Sequence, residues 1–301
     1  MFGYVRPSVR DLPEEERIPL IEKFRKMYGT MDFYVLYNRF LKKEGYQTLP
    51  RRPLEKRKLR YEDVYPVLYL KYRLSRQAER SNIKHLVIDE MQDYSRLQYL
   101  IIRRMFSCKM TILGDRAQTM ADQQQDVLQF LPGIFGKDLR RIEMRKSYRN
   151  TVEIASYAAN LIGVTDLELF ERHGMPVLER DVTDLEAALR EAVDTLFPDE
   201  KTYETAAVIV PDEKTAERAY LILREILAEK DFDCEKRLSW LNRDSSSFKK
   251  GLTVTTFYLA KGLEFDQVFS IFPKDEKREM MMQAQYIAAT RALHELRVYH
   301  I

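Results

Sequence analysis

Residues 83–93 read IKHLVIDEMQD, an apolar run that ends in acidic residues. A strand buried on both faces of a parallel sheet is typically a continuous run of Leu, Val and Ile. In open α/β sheets, ligands bind where such strands end. Asp89 and Glu90 therefore occupy the position expected for a site that binds a metal-bound triphosphate, and the stretch predicts an α/β fold.

The charge of the chain is unevenly distributed. The 301 residues suffice for about two domains, and their net charge is only +3. Residues 1–80 contain 19 Lys and Arg against 11 Asp and Glu, so 19 − 11 gives +8 there and 3 − 8 gives −5 for the remainder. A basic segment of this kind indicates contact with nucleic acid or with an acidic protein surface, or else solvated charged helix faces.

Cysteine and histidine usage argues against a structural metal or a disulfide framework. Cys108 and Cys234 lie far apart in the sequence, which fits a reducing compartment. The four histidines do not have the spacing of metal ligands. No stretch resembles a signal peptide or approaches the roughly 18 apolar residues that span a bilayer. We therefore expect a cytoplasmic protein with no membrane partner.

The predicted secondary structure changes at residue 83. Residues 1–82 are predicted to be helical, with a helix capped by Thr30 and ended by Gly45, and with a basic connector at 51–60. Beyond this point short apolar strands alternate with helices, which is typical of a parallel sheet. Strands are predicted at 86–88, 110–113, 206–210, 252–256, 268–271 and 296–300, and helices at 61–74, 95–105, 151–162, 183–196, 213–229 and 279–291. Domain boundaries are predicted to give segments 1–82, 83–146 and 147–301.

Four further polar clusters lie at predicted strand ends or helix ends. They are Gly114-Asp115-Arg116-Ala117-Gln118, Ser147-Tyr148-Arg149-Asn150, Lys261-Gly262-Leu263-Glu264-Phe265-Asp266 and Ala289-Thr290-Arg291-Ala292. Each cluster alone is weak evidence. Five such clusters in sequence, counting the acidic one, are hard to obtain by accident and indicate a functional site.

With these clusters, residues 83–301 resemble the superfamily 1 helicases of the UvrD/Rep type. Residues 89–93 look like motif II, 114–118 like motif III, 147–150 like motif IV, 256–266 like motif V and 286–292 like motif VI. The resemblance implies an α/β fold of RecA-like P-loop NTPase domains with parallel sheets. Residues 83–146 would form part of the first such domain and residues 147–301 the second, with ATP and Mg²⁺ as cofactors.

The chemistry of the residues agrees with the catalytic roles that the resemblance implies. Asp89 can hold Mg²⁺, usually through water, and Glu90 can orient and deprotonate the water that attacks the γ-phosphate. Gln118, which both donates and accepts hydrogen bonds, can link the phosphate end of the nucleotide to the nucleic acid. Arg149 and Arg291 carry permanently charged guanidinium groups suited to the transition-state oxygens.

The remaining candidates would bind the nucleotide and the nucleic acid. Tyr148 offers a ring for stacking on adenine, and Glu264 can accept a hydrogen bond from the ribose. The alternative is that Arg149 and Arg291 form surface salt bridges worth at most about 1 kcal/mol, and that Tyr148 is a core aromatic. The predicted nucleotide-binding residues are Tyr148, Glu264, Gly262 and Asp115, and the predicted nucleic-acid-binding residues are Thr256, Tyr258 and Lys261.

The sequence departs from the family in having no GxxxxGK[ST] loop, whose backbone amides and Lys hold the β- and γ-phosphates. The nearest stretch, GIFGKD at 133–138, has its glycines too close together and Asp138 in place of a hydroxyl. In the family this loop precedes motif II. We therefore expect the chain to be the C-terminal portion of a motor, to need the missing N-terminal half as a partner, and to be inactive as an ATPase by itself.

Two other departures concern the nucleic acid. Family members carry aromatic residues after motif III in a YxWRG pattern, whereas residues 119–125 contain none, and Tyr258 replaces the usual motif V His. Residues 61–63, 93–95 and 258–262 resemble instead the HelD branch, related to helicase IV, whose members engage RNA polymerase. Residues 1–82 would then be the end of an insertion that reaches into the polymerase and returns near Tyr61.

The resemblance thus leaves two functions open. The first is an ATP-dependent DNA helicase or translocase that acts on single-stranded or forked DNA. The alternative is a HelD-like module that binds and recycles RNA polymerase with little or no unwinding.

Overall fold

The computed structural model describes residues 13–28, 30, 32–74, 82–119, 126–144, 146–164, 168–196, 203–230, 233–245, 250–274 and 279–301. They divide into two compact units. The first unit comprises the described residues of Met1–Gly114 and Val127–Leu139, and the second those of Asp115–Asp126 and Arg140–Ile301. Residues 115–118 therefore belong to the second unit, although they directly follow a strand of the first.

The described part of the first unit starts with three helices, α1 (Glu14–Tyr28), α2 (Phe33–Lys43) and α3 (Tyr61–Leu74). Asp32 caps α2 by accepting hydrogen bonds from the N–H groups of Tyr34 and Val35, so the prediction that Thr30 is the cap is wrong. Thr30 instead accepts a hydrogen bond from Asp32 N through its hydroxyl. Gly45, at φ 76°, follows the helix as predicted. Between α2 and α3 the core consists of Tyr34, Tyr37, Leu41 and Leu49, with Leu59, Val67 and Leu70 packed against it.

The α/β part of the first unit contains two parallel strands, β1 (His85–Ile88) and β2 (Lys109–Ile112). Helices α4 (Arg96–Met105) and α5 (Val127–Phe135) contribute Tyr99, Val127 and Leu131 to a core with Ile88. Val87, on the opposite side of β1, is 61% exposed. The apolar run predicted a strand buried on both faces, but within the described residues only one face of β1 is covered.

The described strands of the second unit are β3 (Lys146–Ser147), β4 (Glu168–Leu169), β5 (Leu178–Asp181), β6 (Thr205–Val210), β7 (Leu238–Trp240), β8 (Gly251–Thr256), β9 (Phe265–Phe272) and β10 (Ala292–His300). Six of them form a sheet whose spatial order is β5-β10-β9-β6-β8-β7. Every neighbouring pair in this sheet is parallel. A separate short parallel pair, β3 with β4, precedes the sheet in the chain.

Helices cover both faces of this sheet. The helices of the second unit are α6 (Val152–Ile162), α7 (Leu185–Asp194), α8 (Glu213–Ala228), α9 (Cys234–Arg237) and α10 (Glu279–Ala289). Successive residues of β6 alternate between the two cores: Val208 lies with residues of α7 and α8, and Ile209 with residues of α6 and α10. This alternation follows from the two-residue repeat of a strand and explains the nearly uninterrupted apolar sequence of β6.

The predicted α/β class with parallel sheets is confirmed, and each strand predicted from an apolar run is present. Strands β3, β4, β5 and β7 and helices α5 and α9 were not predicted. Strand β5 reads LERD and lies at an edge of the sheet, so its sequence carries no apolar repeat. No helix in the described ranges has both the length and the apolarity needed to cross a membrane.

Candidate functional site

The acidic pair forms a strained turn directly after β1. Glu90 has φ 51° and ψ 51°, and among the described residues it is the sole non-glycine with positive φ. This left-handed conformation costs a residue with a Cβ about 1–2 kcal/mol. It is held by Glu90 N, which donates to Asp89 Oδ1 at 2.8 Å, and by Met91 N, which donates to Leu113 O at 2.8 Å. The backbone strain is therefore concentrated at Glu90, the predicted general base, where the chain turns sharply away from the strand.

Gly114 allows this turn to approach the end of β2. A Cβ placed on Gly114 would lie 2.6 Å from Met91 N and 2.5 Å from Gln92 Oε1, closer than any real Cβ contact. Gln92 is itself tied to the turn, because its Nε2 donates to Glu90 Oε2 at 2.5 Å. Gly114, the first residue of predicted motif III, thus allows close contact with Met91 and Gln92 of predicted motif II, a role that the motif pattern did not suggest.

Asp89 suits a magnesium ion that keeps most of its water. Its side chain is exposed, and no group of three or more His, Cys, Asp or Glu within the described ranges could enclose a metal. Mg²⁺ in phosphate-transfer sites is usually held by one or two carboxylates, several waters and the substrate phosphates, so a full protein cage is not required. The exposed carboxylate of Asp89 fits this form of binding.

In the second unit, Asp115 joins predicted motif III to predicted motif VI. Its Oδ2 accepts hydrogen bonds from Gln118 Nε2 at 2.9 Å and from Tyr286 OH at 3.0 Å, and its Oδ1 accepts from Ala117 N. Burial, together with the nearby Asp115 carboxylate, raises the pKa of Tyr286, which keeps its hydroxyl a hydrogen-bond donor. Gln118 is buried, and its Oε1 has no hydrogen-bond partner among the described residues. A buried amide oxygen without a partner is costly, and it leaves Gln118 one acceptor for an added group.

Arg149 and Glu264 form an ion pair. Arg149 Nε lies 2.7 Å from Glu264 Oε1, and the two side chains are 49% and 41% exposed. This pair brings together predicted motifs IV and V. At such exposure it is worth at most about 1 kcal/mol, so Arg149 can exchange Glu264 for a phosphate oxygen at little cost.

Tyr148 is a surface residue, not a core aromatic. Its ring is 59% exposed, lies 5.6 Å from the ring of Phe170 and has Lys146 Nζ 5.5 Å from its centroid. Phe170 is also 45% exposed, and its N–H donates to Ser147 O beside the β3–β4 pair. The structure therefore provides an accessible aromatic surface next to Arg149. Phe170 was not predicted, since a single aromatic residue directly after a two-residue strand carries no sequence signal.

Arg291 is almost fully buried, at 1% exposed, and so does not form the surface salt bridge of the alternative interpretation. Its Nε donates to Ile287 O at 3.2 Å, its Nη1 to Leu263 O at 3.4 Å and its Nη2 to the Thr290 hydroxyl at 3.1 Å. These bonds compensate part of the cost of burying the charge. In this conformation the guanidinium thus faces backbone carbonyls, and its predicted contact with phosphate requires some of these bonds to be exchanged.

Two further residues hold motifs IV and VI together. Asn150 Nδ2 donates to Thr290 O at 3.3 Å and to Ala292 O at 2.7 Å, the carbonyls on either side of Arg291. Arg172 donates from Nη1 to Arg149 O at 3.0 Å and from Nη2 to Leu293 O at 2.6 Å. Both side chains therefore link the backbone at one predicted catalytic arginine to the backbone at the other. Arg172 lies in a segment without regular structure, and nothing in its sequence context predicted this role.

The predicted nucleic-acid residues are not fully exposed: Thr256 is buried, and Tyr258 and Lys261 are half-buried. Thr256 is 1% exposed, and its buried hydroxyl has no hydrogen-bond partner among the described residues. Tyr258 OH donates to Glu213 Oε1 at 2.9 Å, and Arg243 Nε in turn lies 2.9 Å from the same oxygen. Tyr258 is therefore occupied by protein groups. Of the other predicted residues in this turn, Lys261 is half-buried, and Gly262 has φ 76° with nothing within 4 Å of a Cβ placed on it.

Comparison with known proteins agrees with the resemblance in part. Residues 13–120 match the family model described as the UvrD/REP helicase N-terminal domain, so the match includes motifs II and III and begins within the helical segment. This family match covers roughly a third of the sequence. No curated protein matches the chain.

Several solved helicase structures are similar to the chain at low identity. The C-terminal domain of a possible DNA helicase from Lactobacillus plantarum WCFS1 has 24% identity and a TM-score of 0.40, covering 52% of this chain and 88% of that one. The PRRSV helicase has 17% identity and a TM-score of 0.41, covering 74% of this chain and 36% of that one. The arterivirus nonstructural protein 10 helicase, in complex with DNA, has 14% identity and a TM-score of 0.39, covering 74% of this chain and 41% of that one. The chain thus spans well under half the length of the two viral helicases. Its residues 13–120 are similar to the N-terminal domain of UvrD/REP helicases.

Proposed function

We propose that this chain is part of an ATP-dependent nucleic-acid motor of the superfamily 1 type, with RecA-like domains. The observation that carries the proposal is that predicted motifs IV, V and VI make direct contacts, although they lie far apart in the sequence. Arg149 pairs with Glu264, and Asn150 holds the carbonyls on either side of Arg291. Arg149, whose ion pair is exchangeable and which follows the exposed ring of Tyr148, is suited to a nucleoside triphosphate. Arg291 is held on backbone carbonyls close to the two carbonyls that Asn150 bonds.

The residues of the chain would divide the chemistry as follows. Asp89 would hold Mg²⁺ through water, and the ion would supply charge neutralisation at the β- and γ-phosphates. Glu90 would orient the attacking water and accept its proton. Arg149 would leave Glu264 for the phosphate oxygens, while Tyr148 would stack on the base.

We further propose that ATP hydrolysis requires a GxxxxGK[ST] loop, which these 301 residues do not contain. The chain alone is therefore expected to show no multiple turnover of ATP. In a longer protein that joins this chain to such a loop, Glu90→Gln should lower the rate of ATP hydrolysis by about 10²- to 10⁴-fold. Glu217→Gln, at an exposed position on α8, is the matched control and should leave the rate unchanged. Multiple turnovers by the 301-residue chain that Glu90→Gln abolishes would contradict the requirement for the loop.

The finer function we favour is DNA helicase or translocase, and the alternative remains a HelD-like module that binds and recycles RNA polymerase. One contact favours the alternative. Tyr258, which replaces the motif V histidine, donates a hydrogen bond from its hydroxyl to Glu213, so this hydroxyl is already bonded within the protein and is not free for DNA. A helicase should open a forked duplex in the presence of ATP. A recycling module should bind core RNA polymerase in a pull-down, while strand separation stays undetectable.

A further inference from the structure

A second basic surface lies outside these motifs, on the first unit. We call residues 42–61, which run from the end of α2 to the start of α3, the basic loop. It contains eight Lys and Arg against two Glu, a net charge of +6 within 20 residues. The eight are Lys42, Lys43, Arg51, Arg52, Lys56, Arg57, Lys58 and Arg60.

Two of these cations stabilise the fold. Arg57 Nη1 lies 2.7 Å from Asp32 Oδ2, its Nε donates to Arg52 O at 3.0 Å, and its guanidinium lies 4.8 Å from the centroid of the Tyr34 ring. Arg60 Nε donates to Oδ2 of the buried Asp63 at 2.7 Å. The charges of Arg57 and Arg60 are therefore already compensated within the unit.

The basic loop is held in one conformation by its first half. Leu49 is 4% exposed, and its N–H and C=O are both bonded to the side chain of Asn38, at 2.7 and 3.1 Å. Tyr34 OH donates to Pro50 O at 2.7 Å. A loop fixed in this way presents its surface side chains without a large ordering cost on binding.

The remaining six cations are available to bind a ligand; they are Lys42, Lys43, Arg51, Arg52, Lys56 and Lys58. Each of them is exposed, and none forms an ion pair with a carboxylate in the described part of the chain. Three large apolar side chains are exposed among them: Tyr46 at 64%, Leu54 at 75% and Tyr61 at 77%. The ring of Tyr61 makes a T-shaped contact with that of Tyr65, with centroids 6.0 Å apart. Repulsion between the cations and exposure of the rings both disfavour the surface as it stands.

We propose that the basic loop binds single-stranded nucleic acid, with its exposed Lys and Arg on the phosphates and Tyr46 and Tyr61 stacked on bases. Surfaces that bind single strands combine cations along the backbone with aromatic rings for the bases, which is the composition found here. An acidic protein surface would also compensate the cations, but it offers no successive bases on which Tyr46 and Tyr61 could stack, and the tyrosine variants below distinguish the two ligands. The inference rests on the proposed function in taking nucleic acid as the ligand, but it does not depend on ATP hydrolysis.

Charge-removing variants test the phosphate contacts on the whole 301-residue chain. Binding of a fluorescent 20-nucleotide mixed-sequence DNA strand is measured by anisotropy, without ATP, between 50 and 300 mM NaCl. Each phosphate contact to a single strand contributes about 0.7 to the slope of log K against log salt, so Arg52→Gln/Lys58→Gln should lower the slope by about 1.4 and the affinity at 0.1 M by about 25-fold. The matched control, Lys214→Gln/Arg218→Gln, removes the same charge from the exposed side of α8 and should have little effect.

Tyrosine variants test the stacking. One stacked base contributes about 1–3 kcal/mol, so Tyr61→Ala should weaken binding about 5-fold or more, whereas Tyr61→Phe should bind as the wild type does. Equal affinity of the wild type and Arg52→Gln/Lys58→Gln would overturn the inference, and the motor proposal would still stand on Glu90-dependent hydrolysis. Charge-dependent binding that Tyr61→Ala leaves unchanged, with heparin competing as well as DNA, would also overturn it, in favour of a general polyanion or acidic protein surface.

Discussion

Gly114→Ala should destabilise the first unit and displace the predicted magnesium-binding turn. The added Cβ would lie 2.6 Å from Met91 N, whereas ordinary van der Waals contact begins at 3.4 Å, so the two segments must separate by about 0.8 Å. Such a shift would break the 2.8 Å hydrogen bond from Met91 N to Leu113 O. Overpacking costs about 1–3 kcal/mol and a lost hydrogen bond about 0.5–1.5 kcal/mol. We therefore expect the free energy of unfolding to fall by about 1.5–4.5 kcal/mol.

The chain offers a matched control in Gly133, which lies within α5 of the same unit and has nothing within 4 Å of a Cβ placed on it. Because alanine favours the helix over glycine, Gly133→Ala should leave stability unchanged or raise it by up to about 1 kcal/mol. Urea unfolding followed by far-UV circular dichroism would measure both variants. The one tryptophan, Trp240, lies in the second unit, so its fluorescence follows that unit separately. Equal stability of Gly114→Ala and Gly133→Ala would refute the close approach.

Two other predictions concern the second unit. Asn150→Ala should lower the free energy of unfolding by about 1–3 kcal/mol in urea titrations, because it removes two hydrogen bonds made by a side chain that is 7% exposed. The control Asn160→Ala, at an exposed position of α6, should not lower it. A loss no larger than that of Asn160→Ala would contradict the role of Asn150. The hydrogen bond from His173, with others including Gly174 N–H, lowers the pKa of Glu153 to about 2. Because the pKa of Glu153 is lower in the folded state than in the unfolded state, the ionised carboxylate stabilises the fold. This stabilisation is complete above the unfolded pKa of about 4.3 and is lost as the pH falls towards 2. Thermal melts should show Glu153→Gln less stable than the wild type at pH 6 and equal to it near pH 2, and a difference independent of pH would contradict this.

The sequence predicted strands better where apolar residues formed a continuous run. Strand β6, with five of its six residues buried, was predicted within one residue, because a strand covered on both faces must be apolar throughout. Strand β5 was missed because an edge strand needs no such run. The N-cap of α2 was assigned two residues too early, since Thr30 and Asp32 are both good capping residues and only the backbone conformation decides between them.

For the candidate site, too, the sequence predicted some features and missed others. Residue chemistry identified Asp89, Glu90, Arg149 and Arg291 as candidates, and their roles remain predictions. It did not predict that Arg291 is buried against carbonyls, nor that Glu90 takes a left-handed conformation. Residues 120–125, for which the absence of aromatic residues was noted, lie outside the described residues.

By itself the sequence determined which segments form strands and helices and which polar residues follow them, because apolar repeats and chain breakers act over a few residues. Only the tertiary structure decided which of these polar residues meet. Asn150 bonds to Ala292, 142 positions away, and Arg149 pairs with Glu264. Such contacts depend on the strand order β5-β10-β9-β6-β8-β7 and on how the helices pack against the sheet. These are properties of the whole fold, and no local pattern encodes them.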